Sequence, residues 1–277
     1  MEHLSSWRKK LALPRFFGLA AALLYSVVAV FTAGAAGQGV PSAKDERRSG
    51  FEFMGASTQA MQLSEALNPG MLWVKDGEVL WGKAMGKSQL SCASCHGDAR
   101  TSMRGVAARY PALDEGLKRP VDLMQRIKMC RTGKQLAEPL RAESQELLGL
   151  EAYVAYQSRG MPVAPPADAR LKPFIASGLQ RFQQRMGQLD LSCAQCHAER
   201  SGQRLGSSLI PQAHPTGYPQ YRLEWQGLGS LQRRLRGCMS GVRAEPFAYD
   251  SQELAELELY LAVRAKGMPM EGIGVRP

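Results

Sequence analysis

Cys92-Ala93-Ser94-Cys95-His96 and Cys193-Ala194-Gln195-Cys196-His197 are the two places where reactive side chains recur in a pattern with a defined chemistry. Two thiols spaced this way can add to the two vinyl groups of a haem, and the next histidine is then placed to ligate the iron; Cys-x-x-Cys-His is the attachment signature of c-type haem. The alternatives fit worse. A zinc ribbon sets its pairs about 15–20 residues apart, whereas these lie 101 apart. A redox-active Cys-x-x-Cys normally occupies a βαβ setting, for which strand-like patterning is missing here. The expectation is two covalently bound haem c groups, held at Cys92 and Cys95 and at Cys193 and Cys196, with His96 and His197 on the iron.

The second axial ligand is the more informative question. The chain has four histidines; His3 lies in the leader, His96 and His197 are spoken for, and His214 has no counterpart in the first half. Bis-histidine ligation at both haems is therefore excluded. Met161 and Met268 follow the last helix of their halves, where a contact at the helix end explains them more plainly than ligation. Cys130 and Cys238 are the remaining matched pair. A disulfide between them is the alternative, but equivalent positions of two separate units generally lie too far apart for Cα atoms to come within about 7 Å. Cys130 and Cys238 are thus expected as distal thiolate ligands. Thiolate lowers the iron potential, which suits chemistry at the sulfur better than plain electron relay.

These residues sit in a duplication. Gly77–His96 matches Gly178–His197 at an offset of 101, Arg126-x-x-x-Cys130 matches Arg234-x-x-x-Cys238 at 108, and Glu138 to Pro162 matches Glu245 to Pro269 at 107. Two copies are too few for a solenoid and predict tandem domains, 36–165 and 166–277, parted at the Pro- and Ala-rich stretch Pro162–Ala169. Apolar residues at helical spacing predict helices over Gln145–Arg159 and Gln252–Lys266, each opened by a serine and closed by Gly160 or Gly267. A helix should also lead into each cysteine pair through Trp81 and Phe182. The expected class is all-α, two tandem class-I-like cytochrome c domains.

Residues 1–35 read as a signal peptide: Arg8, Lys9, Lys10 and Arg15, an apolar run from Phe16 to Phe31, and Ala33-Gly34-Ala35-Ala36 as a cleavage site. A retained anchor is the rival, although the run is shorter than the about 20 apolar residues of a spanning helix. Either way the remainder faces an exported compartment, the periplasm. The formal charge is +10, and removing residues 1–35, with four basic groups and Glu2, leaves +7. Basic residues are scattered and no nucleic-acid motif accompanies them, which argues against nucleic acid; small anions or an acidic protein suit such a surface.

The mature stretch resembles the A subunit (SoxA type) of the sulfur-oxidising SoxAX cytochrome complex. The likeness is carried by the second Cys-x-x-Cys-His, by Arg234-x-x-x-Cys238, and by the run from Arg243-Ala244-Glu245-Pro246-Phe247 through Leu257-Glu258-Leu259-Tyr260-Leu261 to Gly267-Met268-Pro269. It implies that Cys238 is the distal ligand of the active-site haem and carries a persulfide, with Arg234 beside it. It implies an L-cysteine S-thiosulfotransferase: thiosulfate is coupled oxidatively to a cysteine of a SoxYZ-type carrier, and electrons leave through haem toward a soluble cytochrome c. The partner it implies is a small monohaem subunit of SoxX type, giving a heterodimer. Two rivals stand beside it: a thiosulfate dehydrogenase forming tetrathionate, favoured by a methionine ligand on one haem, and a diheme electron carrier using Met161 and Met268.

Overall fold

Ser144 and Ser251 each place a side-chain oxygen 3.3 Å from the amide nitrogen three residues on, that of Leu147 and Leu254, and so satisfy a donor that the first helical turn leaves free. The computed structural model describes residues 45–277, and the expected leader, residues 1–35, lies outside the described residues. In chain order the first repeat holds α1 (Ala56–Leu63), α2 (Met71–Gly82), α3 (Cys92–His96), α4 (Ala99–Ser102), β1 (Ala112–Asp114), β2 (Arg119–Val121), α5 (Leu123–Gly133) and α6 (Gln145–Tyr156). The second holds α7 (Lys172–Gln183), α8 (Cys193–His197), β3 (Arg204–Leu205), β4 (Ser208–Leu209), β5 (Gln220–Arg222), β6 (Gly227–Gly229), α9 (Leu231–Gly241), α10 (Gln252–Arg264) and β7 (Val275–Arg276). The structure is mostly helical, as expected, with strands of only two or three residues. The helices expected to reach Arg159 and Lys266 end at Tyr156 and Arg264, because the chain turns before Gly160 and Gly267, whose φ values are 76° and 86°.

Each repeat is built on one helix crossing, α2 on α6 and α7 on α10. The matched glycines explain the crossing. A Cβ on Gly77 would stand 2.0 Å from the carbonyl oxygen of Gly149, and one on Gly178 2.2 Å from that of Glu256, so backbone meets backbone. Leu147, Leu254, Leu257 and Leu259 are fully buried around these crossings, each contributing about 1.5–3 kcal/mol of burial free energy.

The two repeats interlock. Residues 45–277 form one compact unit, and the segments Gly160–Val163 and Gly267–Met270 run antiparallel across a local two-fold. Gly160 N donates to Met270 O and Gly267 N to Val163 O, while Met270 N donates to Met161 O and Val163 N to Met268 O, all at 2.8 Å. The stretch read as a boundary is thus engaged on one side by the second repeat. Met161 and Met268 belong to this seam, and Met268 packs with Ala108, Val163 and Ala265. At the other end β7 pairs in parallel with β5, Val275 opposite Tyr221. It is fastened to the first repeat by Gln62 Oε1, which accepts from Val275 N at 2.9 Å, and by Asn68 Nδ2, which donates to Ile273 O at 2.9 Å. His214 fixes the first described segment through Nδ1, 2.9 Å from the carbonyl oxygen of Arg48.

Between the repeats lies a cavity of about 80 Å³ whose walls include Tyr110, Tyr218, Asp122, Glu151 and Glu258. Glu151 and Glu258 are duplicates, at the offset of 107. Glu258 is 8 % exposed, and Glu151 Oε2 is inaccessible and has no hydrogen-bond partner. Burial pushes both carboxyls well above the ordinary 4.5, and the neighbouring Asp122 adds to it. Burial likewise lifts Asp122 from 3.8 to about 6, against the amide of Gln125, with Asp250 lifting further and Lys128 and Gln232 opposing. Folded pKa values above unfolded ones mean that these groups stabilise the fold fully below about pH 4 and lose that contribution as the pH climbs through the folded values. Glu258→Gln removes one such ionisation. Its melting temperature should equal the parent's at pH 4 and exceed it at pH 8 by about 2–8 °C, from a relief of about 1–2 kcal/mol; scanning calorimetry at the two pH values decides, and a lower melting temperature at pH 8 would mean that Glu258 is held ionised.

Candidate haem sites and the second cysteine

The attachment segments are short helices locked by their caps. Ser91 Oγ accepts from Ser94 N at 3.0 Å to open α3. In α8 Ser192 Oγ accepts from Gln195 N at 3.2 Å while Gln195 Oε1 accepts from Ser192 N at 2.9 Å. Both cysteines and the histidine of each motif therefore come from one rigid turn. In the first repeat, buried Trp81 on α2 donates Nε1–H to Gly97 O at 2.9 Å, and its ring lies 5.8 Å from that of His96. In the second, Phe182 holds the matching place on α7 and packs with Leu254, Leu257 and Met239.

His197 is oriented for ligation. Its Nδ1 lies 2.7 Å from the carbonyl oxygen of Pro211, so Nδ1–H donates and the lone pair of Nε2 is left free. All six cysteines are free, so the alternative of a Cys130–Cys238 disulfide is not formed. Instead each of these two cysteines stands beside the motif of its own repeat. Cys130 on α5 is close enough to raise the thiol pKa of Cys92, after burial, and Cys238 on α9 adds to the burial that holds Cys193 at about 11. Two thiols and an imidazole on a capped turn, with a further sulfur from a later helix of the same repeat, make a donor set that fits covalent haem c at both places. Met161 and Met268 sit in the inter-repeat seam and are not brought to these sites.

Around Cys238 the surroundings are distinctive. Burial alone would push its thiol up, but contact with His197 and the charges of Arg234 and Arg222 outweigh it and hold Cys238 below the ordinary 9.0. Arg234 lies one helical turn before Cys238 and has Cys238, Tyr218 and Glu224 as charge neighbours. Burial lifts the Tyr218 phenol to about 12, leaving it protonated beside Arg234 and Cys238. In the first repeat Cys130 is exposed, and Arg126 pairs with Asp114 instead, Nη2 to Oδ2 at 2.8 Å.

Tyr218 and Arg222 are site residues that motif reading missed. The signal was present: the offset of 108 that aligns Arg126 with Arg234 also aligns Tyr110-Pro111 with Tyr218-Pro219 and Asp114 with Arg222.

The family model described as "SoxA/TsdA, cytochrome c domain" matches residues 76–163 and 177–270, one copy per repeat. The chain belongs to this family. The "L-cysteine S-thiosulfotransferase subunit SoxA" of Pseudaminobacter salicylatoxidans is 36 % identical, over 92 % of this chain and 88 % of that protein. The subunit of the same name from Rhodovulum sulfidophilum is 35 % identical, over 84 % and 81 %. Among solved structures, SoxXA from P. pantotrophus superposes with a TM-score of 0.80 at 33 % identity, covering 83 % of this chain and 87 % of that one. The SoxA/TsdA family is a cytochrome c family, and the two matched copies coincide with the two attachment motifs.

Two haems per chain should be measured by the pyridine haemochrome assay on purified protein. Replacing Cys193 and Cys196 by alanine should halve the count, while Cys130→Ser should keep it at two and alter the absorption of one haem only; a Cys130→Ser spectrum identical to the parent's would remove Cys130 from the iron.

Proposed function

We propose that this chain is the diheme catalytic subunit of an L-cysteine S-thiosulfotransferase, with Cys238 as the reacting sulfur. The observation that supports this best is the setting of Cys238: a partly buried cysteine on α9, one helical turn after Arg234 and within reach of the charges of Arg234 and Arg222. That placement suits a nucleophile that must meet a dianion.

The reaction joins the outer sulfur of thiosulfate to the sulfur of a carrier cysteine. One S–S bond forms, the carrier's S–H bond breaks, one proton leaves, and two electrons are passed on. Bound haem supplies the one-electron acceptors and the route outward. The chain's own residues do the rest. Arg234 takes the sulfonate oxygens by charge-assisted hydrogen bonds, and Tyr218, kept protonated, can donate one more. Cys238, in its thiolate or persulfide form, attacks or relays sulfur. His197 holds its place through Pro211.

The finer parts of this reading are a persulfide at Cys238, axial ligation by His96 and Cys130 at one haem and by His197 and Cys238 at the other, a SoxX-type monohaem partner, a SoxYZ-type carrier and a soluble cytochrome c acceptor. The likeness to SoxXA from P. pantotrophus supports the partner. Export to the periplasm with loss of residues 1–35 completes it, supported by the basic and apolar leader pattern.

Purified protein supplied with the monohaem partner, carrier and thiosulfate should reduce its haems, and Cys238→Ser should lower that rate by more than about a hundredfold while keeping both haems. Turnover to tetrathionate without carrier would assign a dehydrogenase instead.

A further inference from the structure

Duplication gave both repeats the same scaffold around the second cysteine, yet the charges there are opposite. In the first repeat Arg126 is met at 2.8 Å by Asp114, a carboxylate only 8 % exposed in its side chain. Asp114 is the third residue of β1, and the third residue of the equivalent strand β5 is Arg222. The register leaves no ambiguity: Asp114 stands opposite Arg119 in one hairpin, and Arg222 opposite Gly227 in the other. A buried carboxylate that cancels one arginine has been replaced by a second arginine.

The second repeat therefore holds two arginines where the first holds an arginine and an aspartate, and each guanidinium lies within range of the other's charge. The charge of Arg234 acts on the partly buried Arg222, and Arg234 lies one helical turn before Cys238 on α9. The side chain of Arg222 is 12 % exposed, whereas its ion-pair partner Glu224, at 2.8 Å, is 52 % exposed, so solvent weakens that pairing. The ring of Trp225 supports the guanidinium from 5.2 Å. Two cations sequestered side by side are unfavourable alone and become favourable around a shared anion, and the forked donors of arginine suit a planar array of sulfonate oxygens.

We propose that Arg222 is a second positioning residue for the anionic sulfur substrate, forming with Arg234 a doubly cationic cradle beside Cys238, and that exchange of aspartate for arginine at this strand position confines oxyanion binding to the second repeat. This rests on the thiosulfate reading above. In the first repeat, the Arg126–Asp114 pair is neutral and offers no such cradle.

The test uses the full diheme protein with its partner and carrier, varying thiosulfate, with sulfate as a non-reacting competitor. Arg222→Gln should raise the KM for thiosulfate and the inhibition constant of sulfate about ten- to hundredfold, the loss of one buried charge-assisted contact. The haem count should stay at two, and Arg222→Lys should recover part of the affinity. Glu224→Gln, at an exposed position that the fold tolerates, should tighten sulfate inhibition by releasing Arg222. Unchanged KM and sulfate inhibition in Arg222→Gln, or unchanged sulfate inhibition in Glu224→Gln, overturns the assignment. A wild-type protein without thiosulfate turnover overturns the proposed reaction instead, and sulfate binding followed by the haem absorption still judges Arg222 by itself.

Discussion

The close approach of two helix backbones is the constraint on which each repeat depends. Glycine at 77 and at 178 lets α2 and α7 lie directly on the carbonyls of α6 and α10, and the leucines of those helices then close the core on either side. With that pair fixed, the chain leaving α2 or α7 has one course. It turns back through a short bridge, Met85 to Leu90 or Met186 to Leu191, and meets a serine-capped turn that delivers two sulfurs and an imidazole together. A third sulfur comes from the helix that follows the hairpin, α5 or α9, whose position is set by that hairpin. The crossed pair α2–α6 or α7–α10 thus supplies the frame, while the capped turn and α5 or α9 carry the cysteines.

On this shared frame the molecule has distributed charge unevenly. Around Cys238 positive groups are concentrated and negative ones lie outward; at the seam between repeats the reverse holds, with carboxyls from both halves drawn into one cavity and kept largely neutral by burial. Tyr218 lines that cavity and neighbours Cys238 as well. Burial keeps its phenol uncharged there, so it leaves the positive charge of Arg234 and Arg222 uncancelled.

Much of this was legible beforehand. Cys-x-x-Cys-His is specific because few chemistries need that spacing, and the repeat was visible wherever identical residues recur, as in Gly-Met-Pro at 160–162 and 267–269. The long helices were legible from apolar spacing and serine caps. What stayed hidden had weaker signals. Strands of three residues are too short for alternation to register, so β1 and β5, which carry Asp114 and Arg222, left no mark in the pattern. The matched position there bears opposite charges, and identity-based comparison discards such a pair although it is the most informative difference between the halves. The seam was hidden as well, because backbone hydrogen bonds leave no residue signature; Pro162 and its neighbours looked like a linker for that reason.

The fastening of β7 to β5 and to α1 gives the duplication an unexpected character. The strand that carries Arg222 is held by residues 275–276, and these are held in turn by Gln62 from the opposite half of the chain. Descent and packing therefore use different units: a repeat was duplicated, but residues 45–277 pack as one unit. Loss of the first repeat would therefore take away Gln62, and with it the hold on the strand that pairs with the one carrying Arg222.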